Sequence, residues 1–321
     1  MNAPLGELSP ARFLAEYWQQ KPVLIRQALP GFTPVLDGND LAGLACEETA
    51  SARIVSGSFE RADWRVSYGP FCEADFFDLP EENWTLLVQD VEKHYPPLQD
   101  LMQRFDFLPA WRLDDLMISY AVKGGSVGPH TDQYDVFLLQ AEGRRRWQIT
   151  QSFDAARLDG CPLDVLKSFS PEEEWVLEPG DVLYLPPNVA HFGVMLEPGM
   201  TWSIGARAPS AAELLQGLGE WLAQAGGERY ADAGLAPAAR AGEIDAEALV
   251  RFRELVLRTI RGRNDMEQFL GEFMSRFRLA QEPVPPDAPL TPEDVSQRLA
   301  QGASICRDPW TRLVWIEQDG R

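Results

Sequence analysis

The sequence predicts a mixed α+β protein in which a small β-barrel comes first and a group of helices follows it. Residues 178–181 (EPGD) form a turn signal, residues 182–185 (VLYL) form a short apolar strand, and residues 186–188 (PPN) form a second turn. Short strands between such turns are typical of a barrel, whose interior lets strands far apart in sequence direct side chains at one point. From about residue 209 the apolar residues instead recur at helical spacing.

Three residues of the barrel region have the side chains of a metal site. His130 and Asp132 are two residues apart on a predicted strand, and His191 follows the second turn. Because alternate residues of a strand share a face, His130 and Asp132 can reach the same ion. Two histidines and one carboxylate with open positions suit non-haem Fe(II) oxygen chemistry. The alternative is that the histidines are simply hydrogen-bonded in the barrel core.

A series of motifs between about residues 13 and 215 resembles one protein family. In order, the motifs are WQQKPVLIRQAL, DDLMISYAV, GGSVGPHTDQYDVFLLQAEGRRRW, LEPGDVLYLPP and WSIGARAPSAAELL. They resemble the bacterial JmjC-type ribosomal oxygenases of the cupin superfamily, the arginine hydroxylases of 50S ribosomal protein. The resemblance implies a double-stranded β-helix, or jelly-roll, barrel. It also implies Fe(II) held by His130, Asp132 and His191, with 2-oxoglutarate as cosubstrate.

The segment GRRRW offers a cation for the far carboxylate of 2-oxoglutarate, because a guanidinium matches a carboxylate bidentately and keeps its charge when partly buried. On a strand, Arg145 shares a face with Trp147, while Arg144 and Arg146 share the other face. The family's motif places the carboxylate-binding arginine at the middle position, so the resemblance indicates Arg145. The alternative is an exposed basic run that pairs with surface acids.

Two serines resemble positions where the family places small polar residues beside the cosubstrate. They are Ser119 in LMISY and Ser203 in TWSIG. Each hydroxyl could equally satisfy a backbone group within its own strand.

The resemblance implies that the substrate is an arginine of a large-subunit ribosomal protein, hydroxylated on its β-carbon. We expect the substrate cleft near Gln133, Tyr134 and Asp135, although Asp135 shares its strand face with Gln133 rather than with the metal ligands. Three alternatives stay open: a histidine target, a metal-dependent cupin dioxygenase or isomerase acting on a small molecule, and a non-catalytic binding module. Arg145 argues against the small-molecule enzyme, and the intact set of ligands argues against the binding module.

The charge balance bears on partners and location. The net charge is −20, from 29 basic and 49 acidic residues, which favours a basic partner such as a ribosomal protein and makes nucleic acid an unlikely direct substrate. Plain solubility explains the same charge equally well. No apolar run approaches the roughly 20 residues of a membrane helix, and the amino terminus lacks a signal-peptide pattern. We therefore expect a cytoplasmic protein without a membrane partner.

The remaining cysteines and histidine are expected to have no part in the chemistry. The four cysteines are scattered without a CxxC pair, which disfavours a zinc site or a disulfide framework. We interpret them as structural residues: Cys46, Cys72, Cys161 and Cys306. His94 precedes a proline turn and is predicted to lie on the surface.

The predicted division has three parts: a catalytic barrel over residues 1–208, a helical dimerisation domain over 209–280, and a linker with a partial winged-helix-like domain over 281–321. Ser210 and Glu213 form a capping box at the start of the helical part. Its stripe of Phe269, Phe273 and Phe277 suits a subunit interface, so a homodimer is expected, as in the family.

The last segment is predicted to begin with a helix at Thr291-Pro292 and to continue as strands through CRDPWTRLVWIEQDGR, with a turn at Asp319-Gly320. In the family a winged-helix-like domain occupies this place. Because the predicted turn at Asp319-Gly320 has no second strand after it, we expect the carboxy-terminal part of that domain to be missing.

Overall fold

Two antiparallel sheets face each other in the computed structural model, which describes residues 3–225, 228–238, 240, 242–261, 265–281 and 288–317. Within these residues the strands are β1 Val23–Ile25, β2 Ala52–Ser56, β3 Arg65–Tyr68, β4 Trp84–Val88, β5 Leu113–Ala121, β6 His130–Thr131, β7 Asp135–Glu142, β8 Arg145–Thr150, β9 Glu173–Leu177, β10 Val182–Leu185, β11 Ala190–Met195 and β12 Gly199–Ala206. The larger sheet has the order β1-β10-β7-β12-β5-β4-β2-β3, and the smaller has the order β6-β11-β8-β9. The predicted mixed α+β jelly-roll is confirmed.

The helices lie before, between and after these strands. Within the described residues they are α1 Pro10–Glu16, α2 Gly38–Leu44, α3 Glu73–Phe77, α4 Val91–His94, α5 Gln99–Met102, α6 Ala211–Ala225, α7 Ala246–Arg261, α8 Met266–Arg276 and α9 Pro292–Ala300. Residues 1–208 and 280–311 make up one unit with the barrel, and residues 209–279 and 312–321 make up a second unit. The predicted division into three parts stays a prediction.

The larger sheet separates an apolar core from a cavity, because side chains alternate across each strand. Phe137 and Leu139 of β7 face the core that contains Phe13 of α1. Val136 and Leu138 of the same strand face the smaller sheet. Phe13 is fully buried, which stabilises the fold by roughly 1.5–3 kcal/mol. The continuous apolar sequence of β7 thus reflects burial on both faces.

Asp135 joins the amino-terminal segment to the barrel. It is fully buried, and its carboxylate accepts hydrogen bonds from Tyr184 Oη at 2.6 Å, Gln19 Nε2 at 3.0 Å and Arg112 Nη2 at 2.9 Å. Tyr184 Oη in turn accepts from the backbone N–H of Gln19 at 2.8 Å. Burial raises the pKa of Asp135, opposed by these donors. One carboxylate therefore connects β7, β10 and the segment after α1.

The aromatic stripe of α8 is covered within its own unit. The tilted rings of Phe269, Phe273 and Phe277 contact one another in sequence with centroid distances of 5.6 and 5.5 Å, and Trp221 of α6 lies 5.8 Å from Phe269. A Cβ at Gly217 of α6 would lie 2.6 Å from the Phe273 ring, so the two helices approach closely because this residue is glycine. The stripe that was expected to suit a subunit interface is therefore largely buried within its own unit, because α6 lies over it.

Several exposed apolar residues of this unit lie on α7, and they are Leu249, Val250, Phe252, Val256 and Leu257. The homodimer stays a prediction. The start of α6 is as predicted: Ser210 Oγ accepts from the Glu213 backbone at 3.1 Å, and the Glu213 carboxylate accepts from the Ser210 backbone at 2.8 Å.

The last described segment begins as predicted and then differs. Thr291 caps α9 in a capping box with Asp294, and Pro292 opens the helix. The strands predicted after it are absent from residues 303–317, where the backbone is irregular, and Asp319-Gly320 lies outside the described residues. His94, predicted to lie on the surface, is half-buried with its ring centroid 5.2 Å from that of Trp310. Trp310 thus packs against α4.

No helix in the described part of the chain is both long and apolar enough to span a membrane.

We predict that Asp135→Ala lowers the free energy of unfolding by about 3–5 kcal/mol, because it leaves the buried Arg112 guanidinium without its carboxylate. Urea denaturation followed by circular dichroism measures this. Asp159→Ala is the matched control, since that side chain is 95% exposed and its loss should change stability by less than about 0.5 kcal/mol. Equal effects of the two changes would contradict the role of Asp135.

Candidate active site

A cavity of about 350 Å³ lies between the inner faces of the two sheets. We call it the inner cavity. Both sheets contribute to its wall, whose polar and aromatic residues include Arg53, Tyr68, Ser119, His130, Asp132, Tyr134, Arg145, Trp147, Asp164, His191, Thr201 and Ser203. A concave site with a few converging polar groups is the usual form of a catalytic pocket.

The three predicted ligands meet in the inner cavity. His130 of β6 and His191 of β11 are direct partners in the antiparallel register, and their ring centroids are 4.3 Å apart. Asp132 follows β6, and its Oδ2 lies 3.6 Å from Nε2 of His191. One ligand atom from each residue lies within 4.8 Å of the others. The predicted convergence of these side chains is therefore observed.

Both imidazoles are oriented by the backbone. Nδ1 of His130 lies 2.9 Å from the Gly128 carbonyl oxygen, and Nδ1 of His191 lies 2.9 Å from that of Val189. With Nδ1 donating, each Nε2 keeps its lone pair for a cation. Burial, together with the nearby His130, lowers the pKa of His191 to about 4, so its ring is neutral at pH 7. This donor set fits a divalent transition metal.

Arg145 is a buried cation in the same cavity, with an exposed fraction of 4%. Nη1 donates to Thr201 Oγ1 at 3.2 Å and to Ser119 Oγ at 3.4 Å, and Nη2 donates to the Gly193 carbonyl at 3.3 Å. Its guanidinium lies 4.8 Å from the centre of the Trp147 ring. Burial lowers its pKa to about 10, which leaves it protonated at neutral pH.

No carboxylate in the described residues forms an ion pair with Arg145, whose Nε is also buried without a hydrogen-bond partner. The neighbouring Arg144 instead points outward and pairs with Glu197 at 3.0 Å on the surface. The predicted alternation is therefore observed, with Arg145 and Trp147 inside. An isolated buried charge is costly unless a ligand pairs with it, so this end of the cavity fits the carboxylate of a ligand.

Of the two predicted serines, Ser119 accepts a hydrogen bond from Arg145. Ser203 lies two residues further along β12 than the residue opposite Ser119. Ser203 lines the cavity without a hydrogen bond to the guanidinium in the described structure. Thr201, which the sequence analysis missed, occupies the corresponding place and is the cross-strand partner of Ser119. Thr201 lies two residues before Ser203 and therefore on the same face of β12. This two-residue spacing could have identified Thr201 from the sequence.

A second residue missed from the sequence lies beyond Ser203. Asp115, Met117 and Ser119 share the inner face of β5, and a Cβ at Gly205 would lie 3.0 Å from Asp115 Oδ1 and 3.8 Å from the Tyr134 ring. Burial, and then the neighbouring Asp114, raise the pKa of Asp115 to about 7. A carboxylate beside a tyrosine ring is the chemistry that binds a guanidinium.

The predicted substrate cleft needs correction at two of its three residues. Tyr134 lines the inner cavity, and the Arg207 guanidinium stacks on its ring at 3.7 Å. Gln133 is exposed outside the cavity and bonds to Asn188 at 2.9 Å. Asp135 points into the opposite core, as its strand face indicated. Asp115, on β5, is an acidic residue close to Tyr134 of the cavity wall.

Two family models match the chain. The JmjC domain matches residues 100–214, and the ROXA-like winged helix matches residues 256–321. The chain is 38% identical over 312 residues to the ribosomal protein uL16 3-hydroxylase of Escherichia coli (strain K12), covering 96% of this chain and 82% of that protein. It is 42% identical over 215 residues to a probable ribosomal oxygenase of Haemophilus influenzae, covering 66% of this chain and 52% of that protein.

Solved structures match at the same level. The crystal structure of E. coli ycfD superposes with a TM-score of 0.84 at 38% identity, covering 94% of this chain and 81% of that one. The complex of the E. coli ribosomal oxygenase YcfD with cobalt and 2-oxoglutarate gives a TM-score of 0.80, covering 92% and 78%. With its barrel, its inner cavity and these matches, the chain belongs to the JmjC-type ribosomal oxygenases, which are 2-oxoglutarate-dependent hydroxylases.

Proposed function

We propose that the chain hydroxylates the β-carbon of an arginine in a large-subunit ribosomal protein, with Fe(II) and 2-oxoglutarate. The observation that carries the proposal is the buried Arg145, which has no carboxylate partner in the described residues and opens into the cavity that holds His130, Asp132 and His191. The relative from E. coli is named as a 3-hydroxylase of ribosomal protein uL16, and carbon 3 of an amino acid is its β-carbon.

His130, Asp132 and His191 would hold Fe(II) and leave positions open for the cosubstrate and dioxygen. When bound, the metal and 2-oxoglutarate supply the oxidising power that inserts oxygen into a C–H bond while the cosubstrate loses carbon dioxide. The protein's own part is positioning and the exclusion of water. The backbone carbonyls of Gly128 and Val189 fix the two imidazoles for this purpose.

Arg145 would grip the far carboxylate of 2-oxoglutarate. Its guanidinium is already oriented by Ser119, Thr201 and Gly193, so binding requires little reorganisation. A Cβ at Gly193 would lie 2.7 Å from Arg145 Nε and 2.6 Å from the Trp147 ring. The backbone of β11 can therefore pack against the Arg145 side chain because residue 193 is glycine. This grip separates the proposal from a small-molecule cupin reaction without 2-oxoglutarate.

The arginine side chain would enter beside Asp115, Met117 and Tyr134. The ionised Asp115 carboxylate can pair with the guanidinium, while Met117 and the Tyr134 face opposite Arg207 would cover the aliphatic stem. The net charge of −20 favours encounter with a basic ribosomal protein. A histidine side chain, which is neutral at pH 7, would gain less binding energy from the carboxylate. Product analysis by mass spectrometry distinguishes the two targets.

We predict that His130→Ala and Asp132→Ala abolish turnover and weaken Fe(II) binding, because each removes one of three protein ligands. Anaerobic metal titration measures the affinity, and circular dichroism checks the fold. Undiminished metal affinity in both variants would exclude these residues as ligands.

For the cosubstrate grip, Arg145→Met should weaken 2-oxoglutarate binding roughly 30- to 1,000-fold, because a lost bidentate charged contact costs on the order of 2–4 kcal/mol. Arg144→Met is the matched control, and its effect should stay within about twofold because Arg144 pairs on the surface with Glu197. Titration of 2-oxoglutarate into the metal-loaded protein gives both constants. Since the buried charge is unpaired, Arg145→Met should leave the unliganded fold at least as stable as before. A larger loss in the Arg144 variant would contradict the grip.

For the substrate, the Michaelis constant of a peptide with its arginine in a basic context should rise roughly tenfold from pH 8 to pH 6, because protonation of Asp115 removes the negative charge. Asp115→Asn should raise that constant at pH 8 and abolish the pH dependence. Glu92→Gln is the control, because burial also raises the pKa of Glu92 to about 7. The Glu92 carboxylate accepts a hydrogen bond from the Leu116 backbone and does not contact the proposed substrate. This variant should therefore keep the pH dependence of the Michaelis constant.

Mass spectrometry of the product tests the function itself. The proposed function expects one added oxygen on the arginine β-carbon. Oxidation of a matched histidine peptide but not of the arginine peptide would keep the oxygenase and overturn the arginine assignment.

A further inference from the structure

Arg53 is a second cation in the wall of the inner cavity, and the proposed chemistry of metal and cosubstrate does not use it. It lies on β2, whose Val55 faces the same side and packs with Leu87 of β4. Its Nε is buried and has no hydrogen-bond partner. Among the described residues its guanidinium forms no ion pair, and no hydrogen bond from its side chain is found. A donor that is not satisfied within the protein and that opens into a cavity fits a ligand acceptor.

The sheet register gives the position of Arg53. Tyr68, Arg53, Leu87, Ser119 and Thr201 are successive cross-strand partners on β3, β2, β4, β5 and β12. They form one row across the floor of the cavity. Since neighbouring strands are about 4.8 Å apart, Arg53 lies roughly 10 Å from Ser119, beyond the grip of Arg145. Tyr68 at the end of the row is 70% exposed, so Arg53 lies near the entrance.

The acidic groups of the cavity wall are already engaged. Asp132 belongs to the three proposed metal ligands, and Asp164 pairs with Arg157 at 2.6 Å. Arg53 therefore resembles Arg145 in lacking a counter-ion. Its position differs, because it lies beside the exposed Tyr68 rather than beside the three proposed metal ligands.

Hydroxylation at a β-carbon makes a specific demand on this entrance. The β-carbon is bonded directly to Cα, so the substrate's main chain must come within two bonds of the reacting atom and enter the cavity itself. Main-chain carbonyls that leave water need donors, and each unsatisfied one costs about 1–3 kcal/mol. Because Arg145 would hold the cosubstrate, Arg53 is the remaining arginine among the described residues of the cavity wall.

We propose that Arg53 is a substrate-binding residue, whose guanidinium donates to main-chain carbonyl oxygens of the substrate polypeptide beside the target arginine. The proposal rests on the proposed function, because it needs a reacting carbon next to the main chain. The same positive charge repels the target guanidinium from this end of the cavity and directs it towards Asp115. Arg53 and Asp115 thus fix the direction in which the target residue lies across the metal site.

The first test compares Arg53→Gln with Arg65→Gln. Arg65 is an exposed residue of the neighbouring strand β3 and lies on the opposite face, outside the cavity wall. Peptide binding is measured by titration into protein loaded with Mn(II) and 2-oxoglutarate without oxygen, so that no turnover is needed. We expect Arg53→Gln to weaken peptide binding at least tenfold and Arg65→Gln to change it less than twofold. The 2-oxoglutarate dissociation constant should change less than twofold in both.

The second test identifies the group that Arg53 binds. The carbonyls flanking the target arginine are replaced one at a time by thioamides, whose sulfur is the weaker acceptor. At one or more positions the replacement should weaken binding to the wild-type protein at least fivefold and have less than a twofold effect in Arg53→Gln. Equal thioamide effects in both proteins at every position, or peptide affinity unchanged in Arg53→Gln, would overturn the proposal. So would a dependence on an acidic peptide side chain in place of the carbonyls.

Failure of the proposed function gives a different result. If mass spectrometry places the oxygen on a carbon remote from the main chain, or finds no hydroxylated arginine, the function is wrong whatever the binding data show. If the β-carbon is hydroxylated but the thioamide effects are independent of Arg53, only the inference about Arg53 is wrong.

Discussion

The alternation of side chains across the barrel strands is the constraint on which the site depends. On β5, Asp115, Met117 and Ser119 face inward, while Leu116 and Ile118 face the apolar core and are fully buried. The same alternation separates Arg145 from Arg144 on the smaller sheet. Because a slip of one residue would exchange the two faces, packing of the core and assembly of the active site fix the same register.

The site holds a charge that the fold alone would not favour. Arg145 is buried without a carboxylate among the described residues, and only two hydroxyls, one carbonyl and the Trp147 ring compensate for its lost hydration. Such a group destabilises the empty protein and strengthens binding of an anionic ligand. The lack of a counter-ion at Arg145 therefore favours ligand binding at a cost in stability. The large apolar core on the other side of the sheet compensates for this cost.

The carboxylates of the barrel show that residue type alone does not define a role. Asp132 and Asp135 are three residues apart, yet Asp132 points into the inner cavity and Asp135 points into the core. Asp135 is satisfied by three donors and acts in stability. Burial raises the pKa of both Asp115 and Asp135, but no hydrogen bond to the Asp115 side chain is found among the described residues. The environment, set by the strand face, decides between the two uses.

The sequence by itself determined the barrel strand at residues 182–185, the inward direction of Arg145, and the set of His130, Asp132 and His191. These features can be predicted from local turn signals, from the two-residue period of side chains along a strand, or from the resemblance of the ordered motifs to those of a known family. Tertiary structure alone decided that Thr201 lies opposite Ser119, that Asp115 adjoins Tyr134, and that α6 covers the phenylalanine stripe of α8. The reason is that cross-strand register and the pairing of helix faces join residues that are 19 to 82 positions apart, and no local period carries that information.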